Sequence, residues 1–162
     1  MAHDELLDFA FDEIPLATTS DDYYTPKWVF DALGLQFDID VASPVGGISW
    51  IPANQYFTLY DDGLAQDWNG RVWMNPPYSK PLPWIQKFIE NENGVALLPT
   101  STGKWMKYLW ESKAKWLLLP PMKFIQGNMV EAKGFIPVRC WLIAVGDENV
   151  AALKASGIGF VR

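Results

Sequence analysis

The chain has 162 residues, 49% of them hydrophobic and 15% aromatic, and a net charge of −6; this fits one folded domain with a real core and excludes intrinsic disorder. A single cysteine, Cys140, excludes an internal disulfide and fits a reducing compartment, and with one histidine, His3, a Cys/His zinc site and a histidine-based catalytic triad are both disfavoured. No apolar run approaches a membrane span and the N-terminus is acidic rather than signal-like, so the expected location is cytoplasmic.

Nine tryptophans cannot all be fully buried, so some are expected at stacking or interface positions and others as core filler. Charge is unevenly spread. Residues 1–62 hold 12 acidic residues and one lysine, whereas residues 63–162 hold 7 acidic and 12 basic ones. An acidic front and a basic back would offer a polyanion one favourable face; a solvated, lysine-studded surface has the same composition.

Residues 1–22 are an acidic lead-in. Leu6, Leu7, Phe9, Phe11 and Ile14 make a short amphipathic piece, which Pro15 and Thr18-Thr19-Ser20 break. A tail or arm is expected here, ahead of a single domain at 23–162. Thr25 suits a helix N-cap with Pro26 at the first helical position. Val29, Phe30 and Leu33 then form one apolar face, and Gly34 stops the helix. From Leu35 to Val41, Phe37, Ile39 and Val41 alternate with Asp38 and Asp40, which predicts a strand. The turn Ala42-Ser43-Pro44 and the pair Gly46-Gly47 follow. Asp40 lies at the strand end, where doubly wound folds place ligand contacts; an aspartate capping a turn would read the same way. Ile48–Tyr60 is aromatic-rich and predicts a short strand or irregular segment. Asp61–Trp68 reads as a polar loop.

The most informative stretch is Arg71-Val72-Trp73-Met74-Asn75-Pro76-Pro77-Tyr78-Ser79. Val72, Trp73 and Met74 suit a buried strand. Two prolines follow; neither donates an N–H, and each holds the preceding residue away from helix. The polar groups of Asn75 and the carbonyl of Pro76 are therefore fixed before any ligand arrives. A planar group with an exocyclic amine would donate its two N–H bonds to the Asn75 side-chain oxygen and the Pro76 carbonyl, with its ring stacked on Tyr78. The acceptors would then stabilise positive charge developing on the amine as it attacks an electrophile. On the residues alone, a proline-rich turn after a strand remains the competing account.

Beyond the motif, Ser79 is a helix-cap candidate with Pro81 and Pro83 in the opening turn. Trp84, Ile85, Phe88 and Ile89 share a face, and Asn93-Gly94 ends the helix. Val95–Pro99 is a strand of buried, parallel type. A helix with Trp105, Met106, Leu109 and Trp110 on its apolar side follows, with Lys104, Lys107 and Lys113 outside. Lys115–Leu119 is a strand, Met122–Pro137 an irregular stretch, and Val138–Val145 a strong strand containing Cys140. A short helix over 147–155 closes the list. This alternation predicts an α/β fold with a mostly parallel sheet and helices on both faces. Asp40 and Asn75 both stand at carboxyl ends of strands.

Taken in order, Thr25-Pro26, Asp38-Ile39-Asp40-Val41-Ala42-Ser43, Asp67-Trp68 and Asn75-Pro76-Pro77-Tyr78-Ser79 resemble the phage-type DNA N6-adenine methyltransferases, over about Tyr24–Val145. The resemblance implies a compact Rossmann-like class I methyltransferase fold and S-adenosylmethionine as cofactor. It implies adenine N6 in double-stranded DNA as substrate, and a phage or prophage origin in a bacterial cytoplasm. Asn75, Pro76, Pro77 and Tyr78 become the catalytic residues. Tyr24, Thr25, Pro26, Asp40, Ala42, Ser43, Asp67 and Trp68 become the cofactor residues, with Asp40 toward the methionine amine and Asp67-Trp68 toward the adenine. The glycine-rich loop usual in methyltransferases is absent, and Ala42-Ser43-Pro44 with Gly46-Gly47 stands in its place. Ser79, Lys80, Lys104, Lys107, Lys123 and Asn128 are nucleic-acid-binding candidates, and Arg71 is a further phosphate candidate. Length leaves no room for a separate recognition domain, so a monomer or homodimer with a short or relaxed target site is expected.

Three alternatives stay open on the sequence. The same acceptors serve methylation of RNA base amines and of protein glutamine. Cytosine N4 needs them too, although Ser-Pro-Pro-Tyr is the commoner form there. A catalytically silent methyltransferase-like binding module is the third. Cytosine-C5 chemistry is disfavoured, because Cys140 lies within a strand and lacks a Pro-Cys setting.

Overall fold

The apolar runs Val72–Met74 and Val95–Leu98 form the middle of one six-stranded sheet, because strands covered on both faces need no polar alternation. A computed structural model describes residues 23–101, 103–125 and 139–162. The acidic arm expected at 1–22 and the nucleic-acid-binding candidate Asn128 lie outside the described residues.

In chain order the elements are α1 (Lys27–Leu33), β1 (Phe37–Asp40), β2 (Ala53–Tyr56), β3 (Val72–Met74), α2 (Leu82–Asn91), β4 (Gly94–Pro99), α3 (Trp105–Trp110), β5 (Lys115–Leu118), β6 (Cys140–Val145) and α4 (Asp147–Ala155). The strand order is β2-β1-β3-β4-β6-β5. Strands β1, β2, β3 and β4 pair in parallel, while β6 runs antiparallel to both β4 and β5.

The sheet is therefore mixed, which corrects the expectation of a mostly parallel one. The antiparallel ladders are the longer: β4 and β6 pair over six positions, Gly94–Pro99, while no parallel ladder exceeds three. The physical reason is that Cys140–Val145 is apolar on both faces, and such a run carries no signal of direction. An antiparallel neighbour also needs no crossover helix.

Side chains alternate across the sheet into two cores. Phe37, Trp73, Val95, Leu97, Leu117 and Leu142 pack under α1 and α4, through Val29, Phe30, Leu33 and Leu153. Ile39, Val72, Met74, Ala96, Leu98 and Ile143 pack under α2 and α3, through Ile85, Phe88 and Leu109. Helices thus cover both faces, as the alternation predicted. Trp73 is fully buried between Phe30 and Phe37, with ring centroids 4.6 and 5.8 Å away.

Several boundaries differ from the sequence reading. Gly34, with φ 62°, ends α1 as expected. Thr25 is not the N-cap: Pro26 occupies that position, without any side-chain cap bond. Glu92, at φ 55°, ends α2, so Gly94 is no helix stop. Gly94 opens β4, where a Cβ would press on the Val72 carbonyl at 2.6 Å. Trp110 is 80% exposed rather than part of the core. Among the described residues no helix is long and apolar enough to cross a membrane.

Candidate active site

From β1 the chain steps to β2 on one side and then returns to place β3 on the other. This is a topological switch point, where the loops leaving the two strand ends diverge and open a crevice. A cleft of about 520 Å³ occupies it, within the roughly 300–1,000 Å³ range of small-molecule sites. Asp40 at the end of β1 and Asn75 just past β3 both line it. Tyr24, Thr25, Ala42, Ser43 and Pro77, all read as site residues in the sequence, line it too.

Asp40 is 3% exposed. Its Oδ1 accepts the Ala42 N–H at 3.3 Å, and among the described residues no cation pairs with it. Burial pushes its carboxyl up to about 7, against the opposing pull of the Ala42 N–H. Thr25 is 1% exposed, and its Oγ1 has no hydrogen-bond partner among the described residues. The Thr25 carbonyl accepts the Trp50 Nε1–H at 2.9 Å, which secures the residue without using its hydroxyl. Buried polar groups are normally paired. A carboxyl without a cation and a hydroxyl without a partner on one cleft wall are groups that a polar, cationic ligand would satisfy.

Asn75 is oriented by its own amide. Nδ2 donates to the Tyr23 carbonyl at 3.2 Å, leaving Oδ1 as the acceptor end. That carbonyl is well fixed, since Tyr24 exchanges two backbone hydrogen bonds with Ile125 at 2.8 and 3.0 Å. Pro76 is buried and Pro77 lines the cleft. Tyr78 is half-buried, and its hydroxyl lies against the Cys140 thiol. Burial pushes that thiol up to about 12, while the Tyr78 hydroxyl pulls the other way. Cys140 therefore stays protonated and serves as packing, not as a nucleophile.

Other residues lie elsewhere. Asp67 is exposed and Trp68 is buried; neither lines the cleft, and Pro26 and Pro76 do not either. Trp68 donates its Nε1–H to the Gly63 carbonyl at 2.8 Å and stacks near Trp84, with centroids 6.2 Å apart. The same loop reaches the cleft through Asp62 and Gly63 instead, and Phe57, Thr58 and Trp84 join them. These five were not singled out in the sequence. The available signal was Gly63 itself, where a Cβ would overlap the Val41 carbonyl. Ser79 and Lys80 are exposed beside the motif, and Lys123 is half-buried. Lys104 and Lys107 are exposed at α3, with Lys107 pairing with Glu111 at 3.6 Å. Arg71 is tied to α4 and to the Gln36 carbonyl.

The family described as DNA N-6-adenine-methyltransferase (Dam) matches residues 15–133, more than half of the chain. A protein of Haemophilus phage HP1 (strain HP1c1), named DNA N-6-adenine-methyltransferase, is 34% identical over 84 residues, covering 46% of this chain and 47% of that relative. The chain thus spans about half the length of the curated relative it matches. No solved structure matches.

Proposed function

The chain belongs to the DNA N-6-adenine-methyltransferase (Dam) family, and from that premise we propose that it transfers a methyl group from S-adenosylmethionine to the N6 amine of adenine in DNA. The observation that carries this reading is one cleft lined by both Asp40 and Asn75, at the carboxyl ends of adjacent parallel strands. The switch point between β1 and β3 supports a Rossmann-like reading of the fold, with β6 as a reversed insertion.

The residues fit the cofactor. Among the described residues Asp40 is a buried acid without a cation, suited to a methionine ammonium, and Thr25 offers an unpaired buried hydroxyl to the same cleft. Tyr24, Ala42, Ser43, Asp62 and Gly63 would complete the holding surface. When bound, S-adenosylmethionine supplies an electrophilic methyl group.

The chain's own work is positioning. Asn75 Oδ1 and the Pro76 carbonyl accept the two N6 hydrogens, and the Tyr78 ring stacks on the base. Adenine must first leave the duplex stack, at a cost of a few kcal/mol. Fixed acceptors hold the amine in line and stabilise positive charge as it develops on nitrogen. Its proton then passes to water. Double-stranded DNA in a bacterial cytoplasm is the proposed setting, with Ser79, Lys80, Lys104, Lys107 and Lys123 as the proposed phosphate contacts.

The test is incubation of the purified chain with labelled S-adenosylmethionine and unmethylated duplex DNA, followed by nucleoside mass spectrometry. N6-methyladenine from wild type and none from Asn75→Ala is the expected result. N4-methylcytosine, or label in RNA or protein glutamine only, would replace the substrate. Cofactor binding without any product would favour a silent binding module.

A further inference from the structure

Lys87 belongs neither to the motif nor to the cleft lining, yet it is committed in full. It sits half-buried on α2. Its Nζ donates to the Leu64 carbonyl at 2.7 Å and to the Gln66 carbonyl, and stands 5.1 Å from the Trp68 ring centroid. One ammonium thus spends two charge-assisted hydrogen bonds and a cation–π contact on a single short segment. That segment continues directly from Asp62-Gly63, which lines the cleft.

The other anchors of the loop sit at its two ends, where Asp61 bonds Thr58 and buried Trp68 stacks on Trp84 of α2. The loop contains no helix or strand, so its carbonyls have no ladder to join. Gln66 Nε2 donates to the Asp61 carbonyl at 2.6 Å and Trp68 Nε1 to the Gly63 carbonyl at 2.8 Å, which close the loop on itself. Among the described residues only Lys87 ties the Leu64 and Gln66 carbonyls to a helix. At Gly63 a Cβ would overlap the Val41 carbonyl and crowd Trp84, so the loop lies against β1 and α2 with no room for a side chain there.

We infer that Lys87 is a positioning residue for cofactor binding: it pins the Asp61–Trp68 loop to α2 so that Asp62 and Gly63 form a fixed wall of the cleft. The inference rests on reading that cleft as the S-adenosylmethionine site.

Calorimetric titration of the full chain with S-adenosylmethionine tests it, with steady-state kinetics on duplex DNA alongside. Lys87→Met keeps the aliphatic stem and removes the donors. It is expected to weaken cofactor binding and raise the cofactor KM by about tenfold, with kcat at saturating cofactor and KM for DNA unchanged. Lys87→Arg should recover most of the loss. Equal affinity in Lys87→Met and wild type overturns the inference, as does a parallel fall in kcat or rise in KM for DNA. If Lys87→Met does not fold, Lys87→Gln, which keeps a donor but loses the charge and the reach to both carbonyls, takes its place, and an unchanged affinity there overturns the inference equally. A wild type that binds no S-adenosylmethionine overturns instead the reading of the cleft on which the inference stands.

Discussion

Asn75 gives its side-chain nitrogen to the main-chain carbonyl of Tyr23, 3.2 Å away, so the segment before α1 decides which end of the amide faces a substrate. The oxygen end remains to accept. Asn75→Ala removes that preorganised acceptor and should lower kcat by roughly 10²–10³-fold, as loss of one preorganised transition-state hydrogen-bonding group does. Cofactor affinity should change far less. Asn75→Asp should fare no better, because a carboxylate oxygen would then oppose the Tyr23 carbonyl. Single-turnover kinetics on duplex DNA separate the two effects.

The Tyr78 hydroxyl is buried beside the Cys140 thiol, which leaves the ring as the part a base can use. Tyr78→Phe should therefore keep turnover within a few-fold. Tyr78→Ala should lose the stacking face, worth about 1–3 kcal/mol per base, and raise KM for DNA accordingly. Equal losses in both variants, measured in the same assay, would show the hydroxyl itself to act on substrate.

Arg71 should behave as a structural residue. Its Nε donates to Asn149 Oδ1 at 2.6 Å, Nη1 to the Gln36 carbonyl at 3.0 Å, and Nη2 pairs with Glu148 at 2.5 Å. Asn149 is 1% exposed and also donates to Asn93 and to the Val145 carbonyl. Arg71→Ala strands that buried oxygen and should cost about 1–3 kcal/mol, read as a lower melting temperature. DNA affinity measured by fluorescence anisotropy should be unchanged. A loss of affinity without a loss of stability would return Arg71 to the phosphate contacts.

Arg71 also shows where the sequence stops being informative. An arginine beside a motif looks like a ligand contact, and only the fold shows it standing at the amino end of β3, away from the cleft. What was legible came from local rules. The prolines at 76 and 77 fixed a turn, Gly34 ended α1, and alternation around Phe37, Ile39 and Val41 delivered Asp40 to a strand end. The direction of β6 was not legible, since its residues are apolar on both faces. Nor was the choice of Asp62-Gly63 over Asp67-Trp68 as the cleft wall. That choice depends on long-range contacts, from Lys87 to two carbonyls and from Trp68 to Trp84, that no local pattern encodes.

Asp40 makes the site sensitive to pH in two opposite ways. Its carboxyl rises from 3.8 to about 7 on folding, because burial disfavours the ionised form. Between those values the folded chain holds a proton that the unfolded chain has released. Stability of the ligand-free protein should thus be highest on the acid side and fall as pH rises through this window, by up to about 4 kcal/mol from this group. Asp40→Asn should remove that slope from a plot of melting temperature against pH. A cationic ligand amine reverses the preference, because it favours the ionised carboxylate. S-adenosylmethionine binding below pH ~7 should therefore release close to one proton, and affinity should climb nearly tenfold per pH unit until Asp40 is ionised. It should level off there and decline once the ligand's own α-amine, with an ordinary pKa of about 8, begins to lose its proton. Calorimetry at pH 6 in two buffers of different ionisation enthalpy reads the released proton directly. Wild type should give nearly one and Asp40→Asn none; a wild type that binds without releasing a proton would mean that the amine sits away from Asp40.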